Sequence, residues 1–487
     1  MSVFNKSQNR LYYEVIIHYG QMNGKLDHPR AEQSWAKIHL HRYYSVVLGS
    51  MALLFDLIQH NEEDSRMTSM TRRTFMISTA ALAAAGRAVS ASDTINVAII
   101  GCRNRGPQVA ESMRTSGQFN LAAVCDCDDT MIKRALFDKK FLRDLKQEKD
   151  FRRILEMKDI DAVVLAVPDH WHALMTVMAL AAGKHVYCEK PASYNIADGK
   201  AMVAAQEKHP NLVVQVGSQQ RSGPHFQEAK AFLETGGLGK VAFCRACIIH
   251  EREPIAIIPD SEPPKSLDYA MWLGPAPYRP FNTNRVHYNW HFMRDTGTGE
   301  VGNWAAHWVD IVLWSLNLGF PASAMGLGGS YVVKDAKEWP DTQTVLFEYP
   351  EMTLLWEQRL WSTFGINGKG GCHCEFSGEK GSLIISRSGW TFFPRGTKEN
   401  PEEHAGSEQE IAHVKNFAES IRGQAKPAAP IQEGHKTATL CHLANIACLL
   451  NRRIAFDGEK QMIEGDDEAI RLMARPYRAP WKLEDYS

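Results

Sequence analysis

The sequence predicts an α/β protein. A doubly wound parallel sheet is expected in the first half of the globular body, and an α+β unit with a mostly antiparallel sheet in the second. Three observations carry this. Residues 95–217 alternate short apolar runs with helix-length segments, the pattern of a parallel sheet covered by helices on both faces. A glycine-punctuated turn follows the first apolar run, and an acid ends the second. From residue 241 the texture changes to strand-length runs of alternating residues.

Taken in order, the body begins with I-N-V-A-I-I-G-C-R-N-R-G at 95–106. Val97, Ile99 and Ile100 read as a short buried strand, Gly101 and Gly106 bracket a tight turn, and 108–114 reads as the start of a helix. A second strand at 121–126 ends on Asp126. Strand, glycine turn, helix, strand and acid in this order form the dinucleotide fingerprint. The helix N-terminus offers free N–H groups to a pyrophosphate, and glycine lets the backbone come close. Asp126 can accept hydrogen bonds from the ribose hydroxyls of NAD and would repel the 2′-phosphate of NADP. The middle glycine of the motif is replaced by Arg103, and the bland alternative is a βαβ unit with a structural glycine turn.

A charged helical stretch follows to about Met157. Residues 160–168 form a buried strand running into D-H-W-H at 169–172; a helix at 173–182 stops at Gly183. The next strand, 185–188, ends in Glu189-Lys190-Pro191, and helix 197–208 and strand 212–217 follow. In such sheets ligands lie at the carboxyl ends of the strands, where Gly101, Asp126, the 169–172 run and Lys190 all fall. Beyond them, strands are expected at 241–250, 323–333, 342–348, 353–360 and 382–386, with helices at 225–234, 303–315, 413–422 and 436–450.

A chain of 487 residues is too long for one ordinary core and implies two or three domains. The expected division is 1–69 as a non-native extension, 70–91 as an export signal, 92–217 as the nucleotide-binding domain and 218–487 as an α+β domain for substrate binding or subunit pairing. The signal is read from Arg72-Arg73, Phe75, a short Ala-rich apolar segment and Val89-Ser90-Ala91, the layout of a twin-arginine leader with a small-residue cleavage site. Such a leader belongs at a true N-terminus, so the preceding 66 residues are expected to reflect start-codon choice. The alternative is an Ala-rich helix that happens to follow two arginines. The apolar run at 46–55 is too short to span a bilayer.

A net charge of −1 with dispersed basic residues implies no general attraction to nucleic acid or anionic membranes. Ten cysteines in so long a chain do not make a small disulfide scaffold. Cys244 and Cys247 are three apart on an expected strand and point to opposite faces, a poor chelate. Cys372-His373-Cys374 is expected in a glycine-rich loop. His170 and His172 have no third ligand at suitable spacing, so no metal is expected.

Two groups of residues could carry chemistry. Lys190, held forward at a strand end by the following proline, could relay a proton from a hydroxyl as hydride leaves. In the segment N-W-A-A-H-W-V-D at 303–310, Asn303 and His307 share a helix face, and His307 and Asp310 are three apart. An imidazole backed by a carboxylate is an oriented base. The alternatives are a surface lysine and a capped amphipathic helix with a packed histidine.

These motifs together (I-I-G-C-R-N-R-G, A-V-C-D, V-P-D-H-W-H, Y-C-E-K-P, Q-V-G-S-Q-Q-R-S, G-E-V-G-N-W-A-A-H-W-V-D and H-V-K-N-F-A-E-S-I-R) make the chain resemble the Gfo/Idh/MocA family of NAD(P)-dependent oxidoreductases from residue 95 to about 453. It resembles most the exported members that act on sugars and glycosides. The resemblance implies a Rossmann domain, a mainly β second domain, NAD as a tightly held cofactor and a homo-oligomer. It implies no stable insertion in a membrane once the signal is removed. It places the cofactor against Gly101, Arg103, Arg105, Gly106, Asp126, Pro168, His172, Glu189 and Lys190, and substrate against Asn303, Asp310, Trp171, His172 and Trp290. Trp171, Trp290 and Trp304 are candidate sugar-stacking faces, against a core reading for each. The family lysine falls on Lys190 and its D-x-x-x-H pair on Asn303 and His307. With asparagine in place of the aspartate, His307 is left as the acid/base.

The implied activity is reversible NAD-linked oxidation of a secondary alcohol of a sugar or glycoside. One alternative is glycoside hydrolysis by oxidation, elimination and reduction. Another, from a different class, is a non-catalytic sugar-binding protein with structural NAD.

Overall fold

The computed structural model describes residues 94–365, 371–396 and 400–484. The expected extension and export signal lie outside the described residues. The described residues fall in one compact unit, Val89–Ser487.

The first sheet is parallel throughout. Its strands are β1 (Ile95–Ile100), β2 (Phe119–Cys125), β3 (Lys146–Glu148), β4 (Ala162–Leu165), β5 (His185–Cys188) and β6 (Val214–Val216), in the order β3-β2-β1-β4-β5-β6. Successive strands run outward from β1 in one direction to β3 and then in the other from β4. The sheet therefore has a topological switch between β1 and β4, where the first turns of neighbouring crossovers diverge and leave a crevice. All four residues of β4 are buried, as both faces of the sheet are covered. One face packs Val109 and Met113 of helix α1 (Arg105–Ser116), Ile132 of α2 (Asp129–Asp138) and Phe417 of a helix at Glu410–Ile421. The other packs Phe151 of α3 (Phe151–Glu156), Leu174 and Val177 of α4 (Asp169–Ala181) and Met202 of α5 (Ile196–Lys208).

The second sheet has ten strands among the described residues. They are β7 (Val241–Ile249), β8 (Ser323–Gly329), β9 (Thr342–Glu348), β10 (Thr353–Arg359), β11 (Gly371–Gly378), β12 (Gly381–Ser386), β13 (Gly389–Pro394), β14 (Glu402–Ala405), β15 (Ile454–Asp457) and β16 (Met462–Ile463), in the order β14-β13-β12-β11-β7-β10-β9-β8-β15-β16. The centre is β7, flanked antiparallel by β11 and parallel by β10; the remaining pairs are antiparallel. In β9, Gln343, Val345 and Phe347 are buried and the residues between are exposed. The buried face rests on the helices Ala306–Ser315 and Ile431–Leu450 and carries the largest core, with Trp308, Trp356 and Phe376. The helix Glu410–Ile421 returns to the first sheet, where Phe417 stacks on Phe119 at 6.1 Å between ring centroids.

Several local expectations are corrected. The charged stretch after Asp126 is not one helix: it contains the edge strand β3, whose sequence Lys-Gln-Glu has no apolar residue to announce it. The helix expected at 173–182 begins at Asp169, so the D-H-W-H run occupies a buried first turn rather than a loop. Cys372-His373-Cys374 lies on β11, not in a loop. Cys244 and Cys247 lie on β7 as expected, and all ten cysteines are free. Of the helix expected at 303–315, only Ala306–Ser315 is α-helical; its first residues belong to a π-turn, Val301–Ala305.

Candidate functional site

The site lies at the switch point. Gly101 adopts φ +100°, a left-handed backbone suited to glycine, and an added Cβ there would lie 2.2 Å from the carbonyl oxygen of Ala166. A Cβ on Gly106 would lie 1.9 Å from the oxygen of Gly101. Both glycines are therefore needed for the chain to double back between β1 and α1. The N-terminus of α1 has no side-chain cap, which leaves its N–H groups turned to the crevice. At the tip of β2, Asp126 accepts the backbone N–H of Cys102 (2.8 Å) and of Asp128 (3.0 Å). Burial raises its pKa, and those two N–H bonds and His287 oppose the rise. The uncapped helix end, the glycine turn and an oriented carboxylate fit a dinucleotide.

Two cavities meet along this edge and share Arg103, Ala166, Val167, His287 and Trp290. The smaller, about 90 Å³, is lined by Gly101, Asp126, Pro168, Trp171 and Trp272, among others. The larger, about 460 Å³, holds Arg105, Glu189, Lys190, Asn303, Trp304 and His307. A strap from the second half of the chain closes over the smaller one. The N–H of Asp268 donates to the oxygen of Cys127 (2.9 Å), the N–H of Asp129 donates to that of Ser266 (3.1 Å), and His287 Nε2 meets Asp128 Oδ2 at 2.8 Å. Arg103 lies over the ring of Tyr288, 5.0 Å from its centroid, and so joins the glycine turn to the same strap.

In the larger cavity, Lys190 Nζ donates to the backbone oxygen of Asn303 (3.0 Å) and to its Oδ1 (2.8 Å). Burial lowers the Lys190 pKa, against the pull of Glu189 and Asp169. His307 Nδ1 is buried and has no hydrogen-bond partner among the described residues. Burial, then the charges of Lys190, Arg387 and Arg105, hold the His307 pKa well below the usual histidine range, so this imidazole is neutral near pH 7. The structure thus brings together two residues that are far apart in sequence, a cationic donor and a free imidazole.

Other expected site residues turn out otherwise. Asp310 does not back His307. It is buried in an ion pair with Arg221, at 2.7 and 2.8 Å, and accepts from Thr437 at 2.8 Å. Trp171 is buried, donates to the oxygen of Trp272 (3.1 Å) and packs edge-on against Trp481; it walls the smaller cavity and does not offer a sugar-stacking face. His172 is buried away from both cavities. Its Nδ1 meets the oxygen of Pro191 (2.7 Å) and its Nε2 that of Val167 (3.0 Å), so it clamps the tip of β4 to the Lys190-Pro191 turn. Burial opposes charge on it, but Cys188, Asp169 and the Pro191 carbonyl outweigh that and hold its pKa up at about 9. His170 also lies between two carbonyls, those of Thr296 and Trp272, yet burial and nearby Arg475 press its pKa down to about 3.

Asn303 lines the cavity, but both ends of its amide are engaged, with Lys190 on Oδ1 and Glu300 beside Nδ2 (3.3 Å). It positions the lysine. Arg105 is likewise taken: its guanidinium spans Glu189 (2.7 Å) and Glu410 (2.8 and 3.1 Å). Glu189, in turn, is filled by Arg105. Trp290 stands where the two cavities join, and Pro168 caps the start of α4 on the wall of the smaller.

Sequence reasoning missed Arg252, Tyr288, His291, Glu300, Arg387 and Glu410. All but Glu300 line the larger cavity, and Glu300 lies behind it. Glu300 has no solvent exposure, pairs with Arg252 (3.0 Å) and lies 3.5 Å from His291. Burial opposes its charge, but His291 and Arg252 pull its pKa down to about 2. Only Glu300 had a local signal, its place in G-E-V-G-N. The others arrive from distant segments with no distinctive spacing.

A six-stranded parallel sheet with its switch point opened by a glycine turn, an acid at the tip of β2 and a lysine at the tip of β5 defines a dinucleotide-dependent oxidoreductase fold. Comparison with known proteins makes this specific. Residues 95–218 match the oxidoreductase family, NAD-binding Rossmann fold, and residues 255–319 and 402–483 match the C-terminal alpha/beta domain of the same family. The chain belongs to the Gfo/Idh/MocA oxidoreductases, and its cofactor is NAD. An uncharacterized oxidoreductase of Bacillus subtilis is 35% identical over 125 residues, covering 26% of this chain and 33% of that one. Inositol 2-dehydrogenase of Salmonella paratyphi B is 29% identical over 126 residues, covering 26% and 37%. The alignments thus span about a third of these relatives. A levoglucosan dehydrogenase solved with NADH and levoglucosan shares the fold at 16% identity, with a TM-score of 0.57 over 74% of this chain and 99% of that one.

Proposed function

We propose that the protein oxidises a secondary alcohol of a sugar or glycoside to the ketone, reversibly. The observation that carries this is the pairing of Lys190 and His307 in the larger cavity beside the glycine turn. NAD, which Gly101, Gly106 and Asp126 would hold, would supply the acceptor for the hydride of the carbinol carbon. His307, neutral and with a free Nδ1, takes the hydroxyl proton. Two of the three N–H bonds of the Lys190 ammonium are spent on Asn303, which leaves one to hold the substrate oxygen as negative charge grows on it. Trp304 and Trp290 supply apolar walls against which a sugar ring can stack.

Other parts of the reading have their own supports. The strap over Asp126 favours slow exchange of NAD, which suits an enzyme exported with its cofactor through the twin-arginine route. Homo-oligomerisation is supported by the open face of the second sheet, where Met325 of β8 (Ser323–Gly329) is registered with Leu346 of β9 and both, like Leu327, are exposed. A Leu327→Arg variant is expected to elute as a smaller species than wild type in size-exclusion chromatography with light scattering.

The decisive assay follows nicotinamide reduction across a panel of sugars and glycosides, with product analysis by mass spectrometry and NMR. A ketosugar product supports oxidation, whereas release of the aglycone with no net redox change would point to hydrolysis instead. Lys190→Ala and His307→Ala are each expected to lower kcat by about 10²–10⁴-fold with little change in melting temperature. Near-normal turnover in either removes that residue from its role.

A further inference from the structure

The charges around the larger cavity do not balance within the protein. Arg105 is matched by Glu189 and Glu410, and Arg252 by Glu300. Arg103 belongs to the glycine turn and Lys190 to the reacting hydroxyl. Arg387 is left over. It comes from the tight turn between β12 (Gly381–Ser386) and β13 (Gly389–Pro394), is exposed, and lines the cavity on the side of Trp304 and His307. Its guanidinium lies over the Trp304 ring, 5.4 Å from the centroid, and two of its nitrogens reach only the neutral Oε1 of Gln220, each at 3.3 Å. Among the described residues no carboxylate forms an ion pair with it; Glu410 and Glu189 act on it only from beyond contact distance. Beside it, Trp304 Nε1 and Gln220 Nε2 are buried with no acceptor among the described residues.

We infer that the substrate is an acidic sugar, a glycoside unit bearing a carboxylate that Arg387 binds while the ring stacks on the indole side of the cavity. This rests on the sugar-oxidising reading above and narrows it. A planar guanidinium whose Nε–Nη2 edge rests on a neutral amide still has its Nη1–Nη2 edge for bidentate pairing with a carboxylate. A neutral sugar would leave that cation under the ligand with no carboxylate in direct contact, only the more distant charges of Glu410 and Glu189.

The test uses the full chain with its NAD. Methyl glucoside and methyl galactoside are compared with the matching methyl uronides and with a sulfated glycoside, by kcat/KM and by calorimetric binding at low and high salt. The uronides are expected to exceed their neutral partners by about tenfold or more in kcat/KM, the scale of one charge-assisted hydrogen bond. Their binding is expected to weaken with salt. In Arg387→Gln the ratio of uronide to neutral kcat/KM should fall towards one and uronide binding should weaken to match, with Arg387→Lys between. Preference for the sulfated glycoside over the uronide would overturn the carboxylate assignment. So would a ratio near one in wild type, or equal losses for both substrates in Arg387→Gln; neutral turnover in those cases leaves the oxidoreductase reading standing. Calorimetric uronide binding that depends on Arg387, with no glycoside of any charge oxidised, would support the acidic-sugar site and sink the oxidation. Neither binding nor oxidation would sink both.

Discussion

Lys190 and Asn303 show how one substitution sets the chemistry of a site. The family pattern carries an aspartate where this chain has Asn303, and Asn303 Oδ1 is 2.8 Å from the lysine nitrogen. A carboxylate there would be a counter-ion; an amide is only an acceptor. Without that charge, burial dominates and the Lys190 pKa falls. Asn303→Asp should therefore raise it, since an opposite charge at hydrogen-bond distance favours the ammonium. The limb of the kcat/KM profile that reports Lys190 is expected to move to higher pH in this variant, by about one unit or more. The limb governed by His307, which lies below the usual histidine range, also has a predicted direction. The added negative charge opposes the depression caused by Lys190 and moves this limb upward as well. A profile that superimposes on wild type would show that Lys190 does not titrate in the reaction.

At the scale of elements, the helix Ala306–Ser315 serves two sites at once. His307 faces the cavity, and Asp310, one turn on, is buried against Arg221 of the 3-10 turn Gln219–Ser222 that follows β6. Each side chain of that pair is 2% exposed, so removing Asp310 leaves the buried Arg221 with only the longer ion pair to Glu433, at 3.2 Å. Asp310→Ala is expected to cost about 3–5 kcal/mol of stability, read as a lower denaturant midpoint with an unchanged m-value. Loss of activity without loss of stability would restore Asp310 to the reaction. The same pair shows what could be read from sequence. Gly101, Asp126, Lys190 and His307 were legible because each sits in a local pattern whose physics is local: a turn, a strand end, a helix face. Spacing alone also offered Asp310 as a partner for His307, and there it misled, because Arg221 arrives from 89 positions away to claim the carboxylate. Arg252, Arg387 and Glu410 were illegible for the same reason: long loops and sheet turns deliver them, and an isolated arginine has no period. The edge strand β3 was missed because an edge needs no apolar face.

For the whole molecule, the proposed tight hold on NAD assigns the strap the control of how the cofactor enters and leaves. Asp126 sits beneath it, and the strap is tied to the tip of β2 by the Asp268–Cys127 and Asp129–Ser266 backbone bonds and by His287 on Asp128. On that proposal, release of NAD requires these strap contacts to open, so the off-rate is governed by strap opening as well as by affinity. His287 is the one side chain in this set whose removal leaves the backbone bonds intact. His287→Ala deletes the 2.8 Å contact and removes the partner of a carboxylate that also caps α2 through Thr130. Wild type is expected to purify with NAD bound and to lose it slowly on dilution. The variant should release it several-fold faster, the kinetic equivalent of about 1 kcal/mol for one hydrogen bond. The measurement is the decay of bound-nicotinamide fluorescence after reduction, with excess NAD as the chase. Equal off-rates in the two proteins would mean that the strap moves as a rigid part of the wall and does not limit exchange.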